Sequence, residues 1–162
     1  MAIRNSYPEL PEIPYQKTMV EMGLVVLHAK TLITKYGFEA VNSGLAIFRN
    51  ESANGAKGVN NGYCGTQADA GRWVIDWNTT SGKPIATSIK KDNAGAVRRF
   101  LCFKKEEGYK VSLEIATIKC KERGIINGLT YMQKWVGVRT PREAEIKGFD
   151  LLLQSAKRSL TK

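Results

Sequence analysis

The side chain in this sequence best placed for acid chemistry is Glu51, which ends a predicted helix and precedes a predicted loop. The next eleven residues, SANGAKGVNNG, hold three glycines and three asparagines, a composition typical of loops. A helix C-terminus carries partial negative charge, which disfavours ionisation of a nearby carboxyl. A glutamate that keeps its proton near neutral pH is what a general acid for glycosidic cleavage needs. Glu51 is therefore the candidate general acid.

Several aromatic side chains could stack on the apolar faces of sugar rings. Tyr63 follows Glu51 within a glycine- and asparagine-rich segment, a context that favours a cleft. Trp73 and Trp77 share one face of a predicted strand, as Tyr131 and Trp135 share one face of a predicted helix. Packing in a core is the more common reason for such a pair, and sugar stacking stays the alternative for both.

The sequence offers little for metal or nucleophilic chemistry. It has one histidine, His28, and three cysteines, Cys64, Cys102 and Cys120, with no CxxC spacing. An odd cysteine count without that spacing argues against a disulfide framework and against a structural zinc site. Cys64 would need His28 as its base, and nothing in the sequence orients that pair. We therefore expect no metal, no cofactor and no cysteine nucleophile.

The elements that must position these residues are mostly helical. The prolines at positions 8, 11 and 14 predict an extended lead-in over 1–14. Short β-branched and aromatic runs at 72–78 and 85–90 flank the turn sequence NTTSGKP and predict a hairpin. Apolar spacing and capping signals predict helices over 15–35, 38–50, 94–107, 110–123, 126–137 and 141–160. The sequence therefore predicts a single α+β domain over residues 1–162.

The segment from Glu51 to Asp69 resembles the signature of goose-type lysozymes and the related lytic transglycosylases. That signature has a catalytic glutamate and a serine at a helix end, then Asn-Gly-Phe-Gly-Leu-Met-Gln-Val-Asp. The matching positions in this chain are Glu51, Ser52, Asn61, Gly62, Tyr63, Gln67 and Asp69. Cys64, Gly65 and Thr66 replace the family's Gly-Leu-Met, and the loop before Asn61 is shorter. The chain is identified as a divergent member of the lysozyme-like superfamily.

The resemblance implies a lysozyme-like fold, with a small β-hairpin between N-terminal helices and a C-terminal helical bundle. It implies that Glu51 protonates the glycosidic oxygen of peptidoglycan and that Asp69 positions water. The candidate substrate-binding residues are Ser52, Tyr63, Gln67, Trp73 and Tyr131.

Two mechanisms differ in whether Glu51 needs a second carboxylate as its partner. Asp69 fits the family position, and Asp76, on the predicted hairpin, is its rival. An inverting hydrolase needs a second carboxylate about 6.5–9.5 Å from the acid, which leaves room for water. A lytic transglycosylase needs none, because a hydroxyl of the sugar itself attacks and gives an anhydro product. The sequence predicts a muramidase and keeps the transglycosylase as an alternative.

The charge of the chain admits other partners. Twenty-five Lys and Arg residues against fifteen Asp and Glu give +10, which attracts nucleic acid, anionic lipid or bacterial wall. No basic tail or helix-turn-helix pattern accompanies the charge, so nucleic acid is not expected as a partner. A basic nucleic-acid-binding protein and a lysozyme-like scaffold that binds glycan without cleaving it remain the alternatives.

The first residues lack the apolar core of a signal peptide, and the apolar stretch at 22–27 is too short to span a bilayer. We therefore expect synthesis in the cytoplasm, followed by action on the wall after release through a holin or delivery by a phage virion or secretion system. The sequence does not determine the oligomeric state, and a monomer is expected.

Overall fold

The computed structural model describes residue 7, residues 9–66 and residues 82–162. Five helices are described: α1 (Met22–Tyr36), α2 (Phe38–Glu51), α3 (Lys105–Arg123), α4 (Gly128–Tyr131), which continues as a π-helix (Met132–Val136), and α5 (Glu143–Leu160). Four strands are described: β1 (Lys17–Thr18), β2 (Gly58–Val59), β3 (Ala86–Lys91) and β4 (Val97–Cys102). The predicted α+β class with mostly helical content is confirmed.

Helix α2 lies at the centre of the helical part and packs against α1, α3 and α5. Its apolar stripe, made by Val41, Leu45 and Phe48, is completely buried. Gly44 permits the close approach to α3, because a Cβ there would lie 2.4 Å from Oγ1 of Thr117. Since its flanks are fixed by this packing, α2 is a rigid support for the residue at its end, Glu51.

Two small antiparallel sheets flank the helices. Strand β1 pairs with β2, with Lys17 opposite Val59. Strand β3 pairs with β4 in a six-residue hairpin that runs from Ala86 opposite Cys102 to Lys91 opposite Val97. The base of this hairpin is buried and its tip is exposed. The end of the lead-in is extended as predicted, with Glu12 bridged to Thr87 of β3.

The hairpin corrects one predicted helix. Residues 94–107 were expected to be helical, but β4 occupies 97–102 and α3 begins at Lys105. The turn that precedes β4 is closed by Asp92, whose carboxylate accepts hydrogen bonds from the backbone N–H groups of Ala94 and Ala96. The expected strand at 85–90 is present as β3, and the strand it pairs with is β4. The expected partner strand at 72–78 lies outside the described residues.

Two other boundaries differ from the prediction. The first helix begins at Met22 and not at Tyr15, because residues before it form β1 and Val20 donates its backbone N–H to the carbonyl of Gly55. The helix expected over 126–137 is a single α-turn followed by the π-helix. No helix in the described ranges is long and apolar enough to cross a membrane.

Candidate active site

Glu51 is the last residue of α2 and its side chain is exposed. It lines a cleft of about 170 Å³. Its other lining residues in the described ranges come from β2, from the loops beside it and from β4: Lys57, Val59, Gly62, Gly65, Thr66, Phe100 and Leu101. Glu51 is the one carboxyl among the described residues that line this cleft. The residue chosen from the sequence as the acid therefore lies in a cleft, where a substrate could reach it.

Tyr131 holds the carboxyl of Glu51. Its hydroxyl donates a hydrogen bond of 2.9 Å to Oε1 of Glu51 and accepts one of 2.8 Å from Nδ2 of Asn50. The ring is buried and stacks on Phe149, with centroids 3.9 Å apart and planes within 3°. This ring is therefore fixed by packing, and its hydroxyl fixes the orientation of one carboxylate oxygen. Direct stacking of Tyr131 on a sugar stays a prediction that its burial argues against.

Ser52 supports the end of α2. Its side chain is fully buried, its hydroxyl donates to the carbonyl of Phe48, and it accepts a hydrogen bond of 2.9 Å from the N–H of Gly55. The hydroxyl thus satisfies a carbonyl of the last helical turn and ties the following loop to it. Its burial argues against the predicted contact with substrate and gives it a positioning role.

Tyr63 also lies inside the protein. It is 2% exposed, and its ring packs on Phe48 with centroids 5.3 Å apart. Gly58 lies against this ring, because a Cβ there would be 2.4 Å from Cε1 of Tyr63. Gly58 therefore makes room for the ring of Tyr63 behind the cleft. Contact of Tyr63 with sugar stays a prediction without geometric support.

The two asparagines before Gly62 connect the loop to the rest of the protein. The side chain of Asn60 accepts from the N–H of Gln16 at 2.9 Å and donates to the carbonyl of Pro14 at 3.1 Å. The side chain of Asn61 donates to the carbonyl of Phe103 at 3.0 Å. Both residues have positive φ, at 47° and 68°, a conformation that asparagine tolerates better than most residues. The positive φ angles and the side-chain hydrogen bonds therefore explain why asparagine occupies both positions.

Helix α3 fixes the same loop from below. The N–H of Tyr63 donates to Oγ of Ser112 at 2.9 Å. A Cβ on Gly108 would lie 1.7 Å from the carbonyl oxygen of Asn61, so only glycine fits at this crossing. On the other side, the N–H of Leu101 in β4 donates to the carbonyl of Thr66 at 3.1 Å. The loop is thus held on three sides, and the cleft is preformed.

Two groups near Glu51, the hydroxyl of Tyr131 and the thiol of Cys64, have pKa values that burial raises. Burial, the charge of Glu51 and the hydrogen bond to it together raise the pKa of Tyr131, so its hydroxyl keeps its proton across the neutral range. Burial, with a smaller contribution from Glu51, raises the pKa of Cys64 well above its ordinary range. Cys64 is therefore held as a neutral thiol, which does not suit a nucleophile.

Four predicted site residues, Gln67, Asp69, Trp73 and Asp76, lie outside the described residues. Sequence reasoning missed three residues that belong to the site: Asn50, Lys57 and Phe100. Phe100 was hidden by its assignment to a helix, and Asn50 and Lys57 carry no spacing signal that distinguishes them from surface polar residues. In the part of the chain that the structure describes, no group of three or more His, Cys, Asp or Glu side chains could hold a metal ion.

Comparison with known proteins finds no match to this chain among protein-family models, curated proteins or solved structures.

Proposed function

We propose that this protein is a peptidoglycan-cleaving glycosidase in which Glu51 is the general acid. The observation that carries the proposal is the setting of its carboxyl, which is exposed in a cleft while its Oε1 is held by Tyr131. A catalytic carboxyl must be accessible to substrate and fixed in orientation. The resemblance of residues 51–69 to the lysozyme-like signature supports the choice of substrate.

The hydrogen bond from Tyr131 occupies Oε1 and leaves Oε2 of Glu51 for the substrate. In the first step, the proton on Oε2 passes to the glycosidic oxygen. The bond between that oxygen and the anomeric carbon breaks, and the leaving sugar keeps the electron pair as its new hydroxyl. The remaining sugar carries oxocarbenium-like positive charge, which the ionised Glu51 stabilises.

Two second steps complete the reaction. In a muramidase, water adds to the anomeric carbon and gives its proton to a second carboxylate, the role predicted for Asp69 or Asp76. In a lytic transglycosylase, a hydroxyl of the same sugar adds instead, closes an anhydro ring and returns its proton to Glu51. Both routes need the same acid, so the assignment of Glu51 does not depend on the choice between them.

The walls of the cleft suit an acidic glycan. Phe100 offers an aromatic face on which the apolar face of a sugar could pack, and Lys57 offers a cation to an acidic group. Gly62 and Gly65 line the cleft without contributing side chains to it. The charge of +10 favours association with an anionic wall.

The test is digestion of purified peptidoglycan sacculi by the wild-type protein, with mass spectrometry of the soluble products. We expect release of muropeptides, with reducing ends from a hydrolase or anhydro ends from a transglycosylase. A Glu51→Gln preparation, purified in the same way, reports contaminating activity. Binding of the wild type to sacculi without any release would contradict the proposal and favour a scaffold that only binds glycan.

A further inference from the structure

One face of the β3–β4 hairpin carries a pair of exposed, positively charged side chains. Lys90 and Arg98 lie directly opposite each other in the register, and both are exposed. Like charges directly opposite in an antiparallel pair destabilise the sheet. Among the described residues, neither side chain forms an ion pair with a carboxylate. The hairpin therefore presents two exposed cations from neighbouring strands at this position.

The opposite face of the hairpin is arranged differently. There Arg99 donates to Oγ1 of Thr87 at 3.1 Å and lies 3.6 Å from a carboxylate oxygen of Glu12. The carboxylate of Asp92, the acidic residue nearest the tip in sequence, accepts two backbone hydrogen bonds of the turn. Within the described residues, Arg99 has a carboxylate partner on its face, whereas Lys90 and Arg98 on the open face have none.

Aromatic rings connect the open face to the candidate active site. Phe100 follows Arg98 by two residues on β4, so the two side chains point to the same side. The ring of Tyr15 packs edge-on against Phe100, with centroids 6.2 Å apart, and Nζ of Lys90 lies 4.9 Å from the centroid of Tyr15. Phe100 also lines the cleft that contains Glu51. We call Tyr15, Lys90, Arg98 and Phe100 together the hairpin face.

We infer that the hairpin face binds the carboxylates of the peptide stems on the glycan strand whose sugars occupy the cleft. A glycan strand that leaves the cleft over Phe100 reaches Arg98, two residues away on β4, after roughly 7 Å. Peptidoglycan stems carry free carboxylates at intervals along the strand, and these match a fixed pair of cations better than the neutral sugars do. The hairpin face would then select strands that still carry their stems over stripped glycan.

This inference rests on the proposed function, since it assigns the occupant of the cleft. Its test is therefore a binding measurement that does not need cleavage. Soluble, fluorescently tagged glycan strands free of phosphate polymers are prepared with their stems. A second sample is stripped of stems by an amidase, and the lactyl carboxylate that this exposes on each sugar is then converted to a neutral amide. Affinity is measured by anisotropy in the Glu51→Gln background, with and without Lys90→Gln and Arg98→Gln together. Lys157→Gln with Arg158→Gln, two exposed residues of α5, is the matched control for charge.

Loss of both cations should weaken binding of stem-bearing strands roughly tenfold and leave binding of stripped strands unchanged, since charge-assisted contacts are lost only in the first case. The control pair should change neither. The doubly substituted hairpin should unfold close to the temperature of the parent, because removal of the like-charge pair and loss of the contact between Lys90 and Tyr15 have opposite effects on stability.

Equal affinity of the variant and the parent for stem-bearing strands would overturn the inference. An equal loss on stripped strands would also overturn it, as would a loss confined to duplex DNA or anionic vesicles tested in parallel. If wild-type protein releases no muropeptides while the stem-dependent loss is observed, the proposed cleavage fails and the binding surface stands.

Discussion

Removal of the Tyr131 hydroxyl tests how much the orientation of the Glu51 carboxyl contributes to the rate, because the variant keeps the acid and loses only the group that orients it. Tyr131→Phe keeps the ring that stacks on Phe149 and deletes the donor to Oε1 of Glu51. A hydrogen bond to a charged group contributes about 1.5–3 kcal/mol. If all of it orients the acid in the transition state, kcat falls roughly 10- to 100-fold, at about 1.4 kcal/mol per factor of ten.

The assay is the initial rate of muropeptide release at saturating and subsaturating sacculi, which separates kcat from KM. The hydroxyl is buried behind the acid and does not line the cleft, so KM should change little. Tyr36→Phe is the matched control, because it also removes a single hydroxyl from a partly buried tyrosine. Tyr36 precedes α2 and Glu51 ends it, a separation of about 20 Å along the helix.

The Tyr36→Phe variant should keep the wild-type kcat. The reasoning is refuted if Tyr131→Phe also keeps it, or if the two variants lose activity to the same extent through a common loss of stability. Thermal unfolding of both variants, measured alongside the rates, distinguishes the second outcome.

Two further predictions concern stability. Gly108→Ala should lower the free energy of unfolding by about 1–3 kcal/mol, because its Cβ would overlap the carbonyl of Asn61. Gly148→Ala in α5, where nothing lies within 4 Å of the added Cβ, should raise the free energy of unfolding by about 0.5–1 kcal/mol. Urea unfolding measures both variants, and equal effects of the two substitutions would contradict the account. Burial raises the pKa of Cys120 from 9.0 to about 12, so its contribution to stability is present below pH 9 and is lost as pH rises towards 12. Between pH 9 and pH 12, the free energy of unfolding should fall less in Cys120→Ala than in the wild type, by up to about 4 kcal/mol. Identical pH dependence of the two proteins would contradict the raised pKa of Cys120.

The position of Glu51 was predictable because local signals define α2. Its apolar stripe is regular, Gly37 precedes its first residue, and the glycine- and asparagine-rich segment ends it. The same segment predicts a loop, and the positive φ angles at Asn60 and Asn61 explain that composition. What could be read from the sequence was therefore the location of the acid and the character of the loop beside it.

The hairpin was predicted only in part because its second strand is ambiguous in isolation. The sequence VRRFLC contains residues that suit a helix or a strand, and its state is decided by pairing with β3. Misassignment of this strand hid both Phe100 and the juxtaposition of Lys90 with Arg98. Those features depend on register, which no local pattern in β4 specifies.

The hydrogen bond from Tyr131 to Glu51 joins residues 80 positions apart. Helical spacing placed Tyr131 on an apolar face and suggested either packing or sugar stacking. Its actual contact depends on how α4 and α5 pack at the end of α2, where a Cβ on Gly128 would lie 1.9 Å from the carbonyl oxygen of Ile146. Such a contact is a product of tertiary packing, and residue spacing does not encode it.

The most direct test of the central claim is the ratio of muropeptide-release rates between Glu51→Gln and Glu39→Gln. Glu39 lies in the first turn of the same helix and is exposed, so the two substitutions remove the same charge from opposite ends of α2. We predict that Glu51→Gln slows release by roughly 10²–10⁴-fold, the contribution of a general acid, while Glu39→Gln releases products at the wild-type rate. Full activity of Glu51→Gln would show that another group supplies the proton.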